Sequence, residues 1–153
     1  MNIKIEQFGM TPHGDKIRKF TIRNSHGITA TVINLGSTLT SLKMPDRKGK
    51  VSEITLGFDH LQQYLDSHFY FGATIGRFAN RIAYGTFTLN GIKYYLPRNE
   101  NDLHHRHGGI KGFDKVVWQG ADTDGVTFNG VAFSYLSPDG EEGYPGNLMV
   151  KVI

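Results

Sequence analysis

The sequence predicts an all-β domain with one short helix, and three features carry that reading. Apolar residues alternate with polar ones rather than recurring every three or four positions, which is the periodicity of a half-buried strand. Nineteen glycines punctuate the 153-residue chain and bound segments of strand length. There is no internal repeat or low-complexity tract, and a chain of this size buries one ordinary core, so residues 1–153 read as belonging to a single domain. Short strands separated by turn residues imply a large β-sandwich or barrel-like assembly.

The elements follow in order. Ile28, Ala30 and Val32 share one face of a strand, with Ile33 on the other. Gly36 breaks that run before a second strand around Leu39–Leu42, which stops at Met44-Pro45 because proline has no ladder donor. Ile54 and Leu56 make a short third strand. Asp59 to Asp66 is the exception to the β pattern. Asp59 is a cap residue, Gln62 follows three positions on, and Leu61, Tyr64 and Leu65 fall on one helical side. In Thr86–Leu96, Phe87 and Leu89 lead into Asn90-Gly91, and Ile92, Tyr94 and Leu96 lead out. Asn-Gly tolerates the positive φ angles of a type I′ turn, so this is a hairpin. Val126–Phe128 and Val131–Leu136 are further strands, and Leu148, Val150 and Val152 begin another that runs into Ile153. A strand left bare at that point would expose unpaired ladder groups, which favours a chain that continues.

Composition narrows the function classes. With no cysteine there is neither a disulfide framework nor a thiolate metal site, which fits a reducing, cytoplasmic setting. Met1–Phe20 mixes charged and single apolar residues, so it holds no signal-peptide core, and no apolar run approaches a membrane span. The net charge of +3 comes from 17 Lys and Arg spread among 14 acids, not from one basic stripe, which argues against nucleic acid as a partner. Of the two densest basic stretches, Asp15–Arg23 and Asp46–Lys50, the second is a solvated Pro-Asp-Arg-Lys-Gly turn.

Three glycine-bearing segments concentrate the chemistry: Gly76-Arg77-Phe78-Ala79-Asn80-Arg81-Ile82, His107-Gly108-Gly109-Ile110-Lys111-Gly112-Phe113-Asp114-Lys115, and Ser137–Gly146. Asn80 and Arg81 present an amide and a guanidinium, several fixed donors and an acceptor suited to the vicinal hydroxyls of a sugar, though arginines on a turn also commonly just pair with acids. His107 precedes two glycines that let the backbone bend and leave the imidazole uncovered. His104, His105 and His107 form a histidine tract, but their spacing fits no regular metal site, so no metal is expected. Glu141 and Glu142 sit among Pro138, Gly140, Gly143, Pro145 and Gly146, which read first as a loop that shapes or braces a site rather than as a catalytic pair. Tyr94, Tyr95, Tyr135, Tyr144 and Trp118 offer faces for a sugar, while alternation puts Tyr94 in the core, and Phe69, Tyr70 and Phe71 look structural.

Taken together, in this order and spacing, the three segments resemble the galactose mutarotase (aldose 1-epimerase) family. The resemblance extends through Asn24, Asn34-Leu35-Gly36, Pro45–Gly49, Leu56-Gly57-Phe58-Asp59 and Asn147-Leu148. It implies an elongated antiparallel β-sandwich of which this chain is the N-terminal half. It also implies interconversion of the α and β anomers of galactose or glucose by acid–base ring opening and closure, with no cofactor or metal. Asn80 and Arg81 would hold the substrate, His107 would bind it and assist proton movement, and Arg77 would be structural. The family's principal acid, a histidine, and base, a glutamate, would lie beyond Ile153, leaving the isolated chain with little activity. The usual pattern is Leu-His-Gly-Gly, whereas here Leu103-His104 is followed by His105-Arg106 before His107-Gly108-Gly109. Either His104 or His107 is the counterpart, and the glycines favour His107. Two alternatives remain: a hexose-6-phosphate 1-epimerase drawing on Arg77 or Lys111, and a noncatalytic sugar-binding module.

Overall fold

The computed structural model describes residues 2–122 and 130–153. Its first third is a five-stranded antiparallel meander: β1 (Asn2–Met10), β2 (Lys16–Arg23), β3 (Thr29–Ile33), β4 (Thr38–Pro45) and β5 (Val51–Glu53), each paired with the next. A bulge between Gln7 and Gly9 shifts the register of β1 on β2, and a second lies where β3 meets β4. Bulges bend and twist a strand, so a sheet carrying two of them can curl around what packs on it.

Both faces of this sheet are covered, and β2 and β3 show how. Ile17 and Phe20 are each fully buried although three residues apart. Odd spacing on a strand points them to opposite faces. Phe20, with Ile3, Ile22 and Val32, joins Val131, Phe133 and Trp118 in one core; Ile17, with Ile33, Leu35, Leu61 and Tyr64, forms a second. Ile33 thus faces away from Val32, as the alternation predicts. In the first core the Phe20 and Phe133 rings meet edge to face with centroids 5.3 Å apart. The second core is closed by α1 (Leu61–Asp66), whose Leu61 and Tyr64 are buried and whose Leu65 packs against the cluster.

The helix lies where the sequence puts it, but its cap is displaced by one residue. His60 rather than Asp59 is the N-cap, and its main-chain N–H donates to the Gln63 side chain at 3.0 Å. Gln62 instead donates to Asp66 one turn on. The third predicted strand is also displaced. Pairing with β4 involves Val51–Glu53, and Ile54 and Leu56 are 56% and 72% exposed. The Ile54 N–H still donates to the Leu42 carbonyl of β4 at 2.9 Å, and the Glu53 carboxylate accepts the main-chain N–H groups of Leu42, Ile54 and Thr55 where the chain bends away.

Beyond α1 come β6 (Arg81–Ile82), the hairpin of β7 (Thr86–Leu89) and β8 (Ile92–Tyr95), and β9 (His105–Arg106), which pairs with β6. Asn90 and Gly91 have φ angles of 51° and 79°, the left-handed pair that a type I′ turn requires. Tyr94 stacks on Phe87 but is only half-buried and lies in neither core, and Ile92 on the same strand is exposed, so the hairpin packs less deeply than the alternation predicts. The chain ends in a second antiparallel sheet, β10 (Gln119–Asp122), β11 (Val131–Ser137) and β12 (Leu148–Val152). The predicted strand Val126–Phe128 falls outside the described residues. Packing of β11 and β12 against the five-stranded sheet makes the sandwich. Trp118, 1% exposed, donates its indole N–H to the Phe113 carbonyl at 3.0 Å, so it belongs to the core and not to a ligand face. No helix among the described residues is long and apolar enough to cross a membrane.

Candidate functional site

The three glycine-bearing segments fold into one interlocked unit. The His107 main-chain N–H donates to the Asn80 carbonyl at 2.9 Å, and that of Phe113 to the Gly76 carbonyl at 3.1 Å. Gly108 and Gly109 have φ angles of 90° and 109°, and a Cβ on either would collide, with the Gly76 carbonyl oxygen at 1.7 Å and with Glu142 Oε2 at 2.0 Å respectively. Glycine is therefore favoured at both positions by conformation, and at Gly108 it is required by contact with the main chain as well.

The third segment braces the other two. Glu142 accepts the main-chain N–H groups of Ile110 and Lys111 at 2.8 and 3.0 Å, and Glu141 accepts the hydroxyls of Tyr135 and Ser137. Both acids are thus committed to structure, as the turn-rich surroundings predict. Arg77 reaches across to the same loop, donating to Ser137 Oγ and to the carbonyls of Ser137, Pro138 and Pro145 between 2.7 and 3.1 Å. Four of the five N–H donors of its guanidinium are thus spent as a clasp on this loop, the structural role expected of it.

Asn80, Arg81 and His107 come together at the open edge of this unit. Asn80 sits at φ 66°, a conformation asparagine tolerates better than most residues, and its main-chain N–H donates to His107 Nδ1 at 3.1 Å. That bond fixes the tautomer: Nδ1 accepts, so the neutral ring carries its proton on Nε2. Asn80 Oδ1 accepts from Arg81 Nη1 at 3.1 Å, leaving the amide nitrogen free to donate. Arg81 grips Glu100 with two parallel bonds, Nε to Oε2 at 2.5 Å and Nη2 to Oε1 at 2.8 Å. The ion-pair role that arginines on turns commonly take is therefore real here. It orients the guanidinium, which is half-exposed and retains two N–H donors.

Three further residues join this cluster without having been singled out by the sequence. Tyr70, read there as structural, places its ring 4.6 Å from that of His107. Arg106, the ladder partner of Arg81, lies over the other side of the site with its guanidinium 5.6 Å from the Tyr70 centroid. Glu100 joins the two arginines, 3.6 Å from Arg106 Nε. The signal for Arg106 was its place immediately before His107; Tyr70 and Glu100 lie in segments with no motif, and only the fold brings them in.

The electrostatics follow from these contacts. Burial pushes the His107 imidazole below its ordinary value, and the positive charges of Arg106 and Arg81 push the same way. The hydrogen bonds from Arg81 hold the Glu100 carboxyl below the usual range. A carboxylate so held is a poor proton acceptor.

The histidine tract separates into three different environments. His104 Nδ1 accepts the Tyr84 main-chain N–H. His105 is fully buried, with Nδ1 2.8 Å from the Pro97 carbonyl and Nε2 2.7 Å from the Tyr144 hydroxyl. Nδ1 therefore donates and Nε2 accepts from the tyrosine. Only His107 touches Asn80, and among the described residues no group of three or more His, Cys, Asp or Glu side chains could hold a metal ion.

The shape around the cluster is open. Asn80 and Arg81 are exposed and His107 half-buried. The 580 Å³ cleft, lined by residues such as Thr11, Asp15, Gln62 and Lys115, lies apart from them. Arg81 does border a hollow of about 510 Å³ walled by Phe78, Ile82, Phe87 and Pro145.

A family model for aldose 1-epimerase matches residues 18–153. The chain belongs to the aldose 1-epimerase family. Among its relatives in that family, the galactose mutarotase of Bos taurus is 50% identical over 147 residues, 95% of this chain and 41% of that protein. The aldose 1-epimerase of Escherichia coli K12 is 37% identical over 143 residues, 94% of this chain and 40% of that one. The chain spans about two-fifths of the length of the curated relatives it matches. Two solved structures in the aldose epimerase group share the fold. The galactose 1-epimerase of Lactobacillus acidophilus superposes with a TM-score of 0.82 at 26% identity, covering 98% of this chain and 43% of that one. An aldose epimerase homologue from C. elegans gives 0.77 at 32% identity, covering 86% and 39%.

Proposed function

We propose that this chain is the sugar-orienting part of an aldose 1-epimerase acting on galactose or glucose in the cytoplasm. The supporting observation is the Asn80–His107 hydrogen bond, which ties the amide, the guanidinium beside it and an imidazole N–H into one fixed array.

Mutarotation breaks the bond between the anomeric carbon and the ring oxygen. A base takes the proton of the anomeric hydroxyl, an acid protonates the ring oxygen, and the open aldehyde turns and closes on its other face. Ring opening needs proton transfer alone, so no cofactor enters. In this reading Asn80 Nδ2 and the two remaining N–H groups of Arg81 bind vicinal hydroxyls, and His107 donates from Nε2 toward the ring-oxygen side. His107 is then a ligand that assists proton movement.

Glu100 is a poor base, since the hydrogen bonds from Arg81 to both of its oxygens hold its carboxyl below the usual range. The cluster thus offers one imidazole and no free carboxylate, and the acid–base pair of the whole protein has to be completed outside it. General acid–base groups each contribute about 10²–10⁴-fold, so the chain alone binds sugar while leaving the anomerisation rate close to that of water.

The test is a titration of the isotope-labelled chain with galactose, followed by NMR, beside polarimetry of freshly dissolved α-galactose. Saturable shifts at Asn80, Arg81 and His107, lost in Arg81→Ala and His107→Ala, support the assignment. Shifts confined to other residues, or no saturable binding of any aldose, overturn it. A rapid polarimetric decay with the chain alone would show that the cluster already holds an acid and a base.

A further inference from the structure

Resting on that reading of the site, we propose that Arg106 makes it selective for an aldose bearing an anionic group, a carboxylate or a phosphate. Arg106 and Arg81 are direct partners in the β6–β9 ladder and so project from the same side of the ribbon. Like charges so placed repel, and one carboxylate, Glu100, lies between them.

Glu100 is shared unequally between them. Arg81 takes both Glu100 oxygens in a fork-to-fork pair, while Arg106 Nε stays 3.6 Å away, buried and without a hydrogen-bond partner. Among the described residues the Arg106 guanidinium makes no hydrogen bond at all; its other recorded contact is with the face of Tyr70. Two guanidiniums against one carboxylate leave the cluster one positive charge in excess, and His107 adds no negative charge to offset it.

A planar guanidinium packed on an aromatic ring, with Nε buried but its two terminal nitrogens making no hydrogen bond among the described residues, offers those nitrogens for bidentate capture of an oxyanion. A neutral hexose could satisfy Asn80 and Arg81 and still leave Arg106 empty. An anionic aldose neutralises the cluster and fills those donors. Arg106 also adjoins His107 in sequence, and both side chains touch Tyr70, so the anion and the sugar ring would occupy neighbouring positions.

The experiment compares D-galactose, D-galacturonate and D-galactose 6-phosphate by calorimetric titration into the 153-residue chain at low and high salt. The variants are Arg106→Leu and Arg106→Lys, each checked for native circular dichroism. At least one anionic sugar is expected to bind ten-fold or more tighter than galactose. That preference should shrink with salt, vanish in Arg106→Leu and persist in part in Arg106→Lys, the anionic sugar losing at least ten-fold more affinity than galactose in Arg106→Leu. Whichever anionic sugar gains more identifies the group as carboxylate or phosphate. Galactose binding with no anion preference in the unsubstituted chain overturns the proposal and leaves the proposed function standing. So does an equal loss for all three sugars in a folded Arg106→Leu. Absence of binding by every sugar sinks both.

Discussion

Gly108 supports the sharpest prediction, because its two constraints can be separated. Alanine there would adopt φ 90° and place its Cβ 1.7 Å from the Gly76 carbonyl oxygen. An unstrained carbon–oxygen contact is about 3.3 Å, so the Gly76 peptide would have to retreat by about 1.6 Å. The same oxygen accepts the Phe113 N–H, and a shift of that size breaks the bond and strands the amide beside a buried ring. The left-handed backbone costs about 1–2 kcal/mol for alanine, and the lost, unsatisfied hydrogen bond about 1–3 more. Gly140 provides the control: its φ is 82°, but a Cβ there meets nothing within 4 Å. Gly140→Ala should cost about 1–2 kcal/mol and Gly108→Ala about 2–5 by urea denaturation with unchanged slope. If the two variants agree within about 0.5 kcal/mol, close approach of the two loops is not what requires glycine at 108.

Two other outcomes follow from the same unit. Arg77→Met removes four hydrogen bonds to the 137–145 loop, and leaves their acceptors to find water. A loss of about 3 kcal/mol in urea unfolding is expected, and less than 1 would mean that the clasp is dispensable. His105 and His107 both have imidazoles lowered from 6.5, chiefly by burial, so between the folded and unfolded values the unfolded chain binds more protons. Their contribution to stability is complete above pH 6.5 and is lost as pH falls toward the folded values. Imidazole NMR titrations should place both midpoints below 6.5, and a midpoint above it at either residue would contradict the environment described.

The hairpin was legible because Asn90-Gly91 is a local instruction, and turn chemistry of that kind needs no tertiary help. The helix was legible in its buried side, Leu61, Tyr64 and Leu65, but not in its cap, since whether Gln62 or Gln63 reaches back depends on how the chain enters the first turn. β1 and β2 went unread for a different reason. Ile17 and Phe20, three apart, break the alternation because each serves a different core, and a sheet covered on both faces has no polar side to display. The family motifs exposed Asn80, Arg81 and His107, whereas Glu100 and Tyr70 are brought in by long-range pairing that leaves no local trace.

The Asn80–His107 bond also shapes how this surface can drift. The imidazole is steered by a peptide amide, so changing the side chain at 80 leaves its aim intact, provided that the backbone holds φ 66°. Asparagine, aspartate and glycine meet that condition most readily. Aspartate would turn a donor toward the sugar into a second acceptor, and glycine would withdraw from it altogether. Of these three favoured residues, only the one present can both accept from Arg81 and donate a hydrogen bond to a sugar hydroxyl.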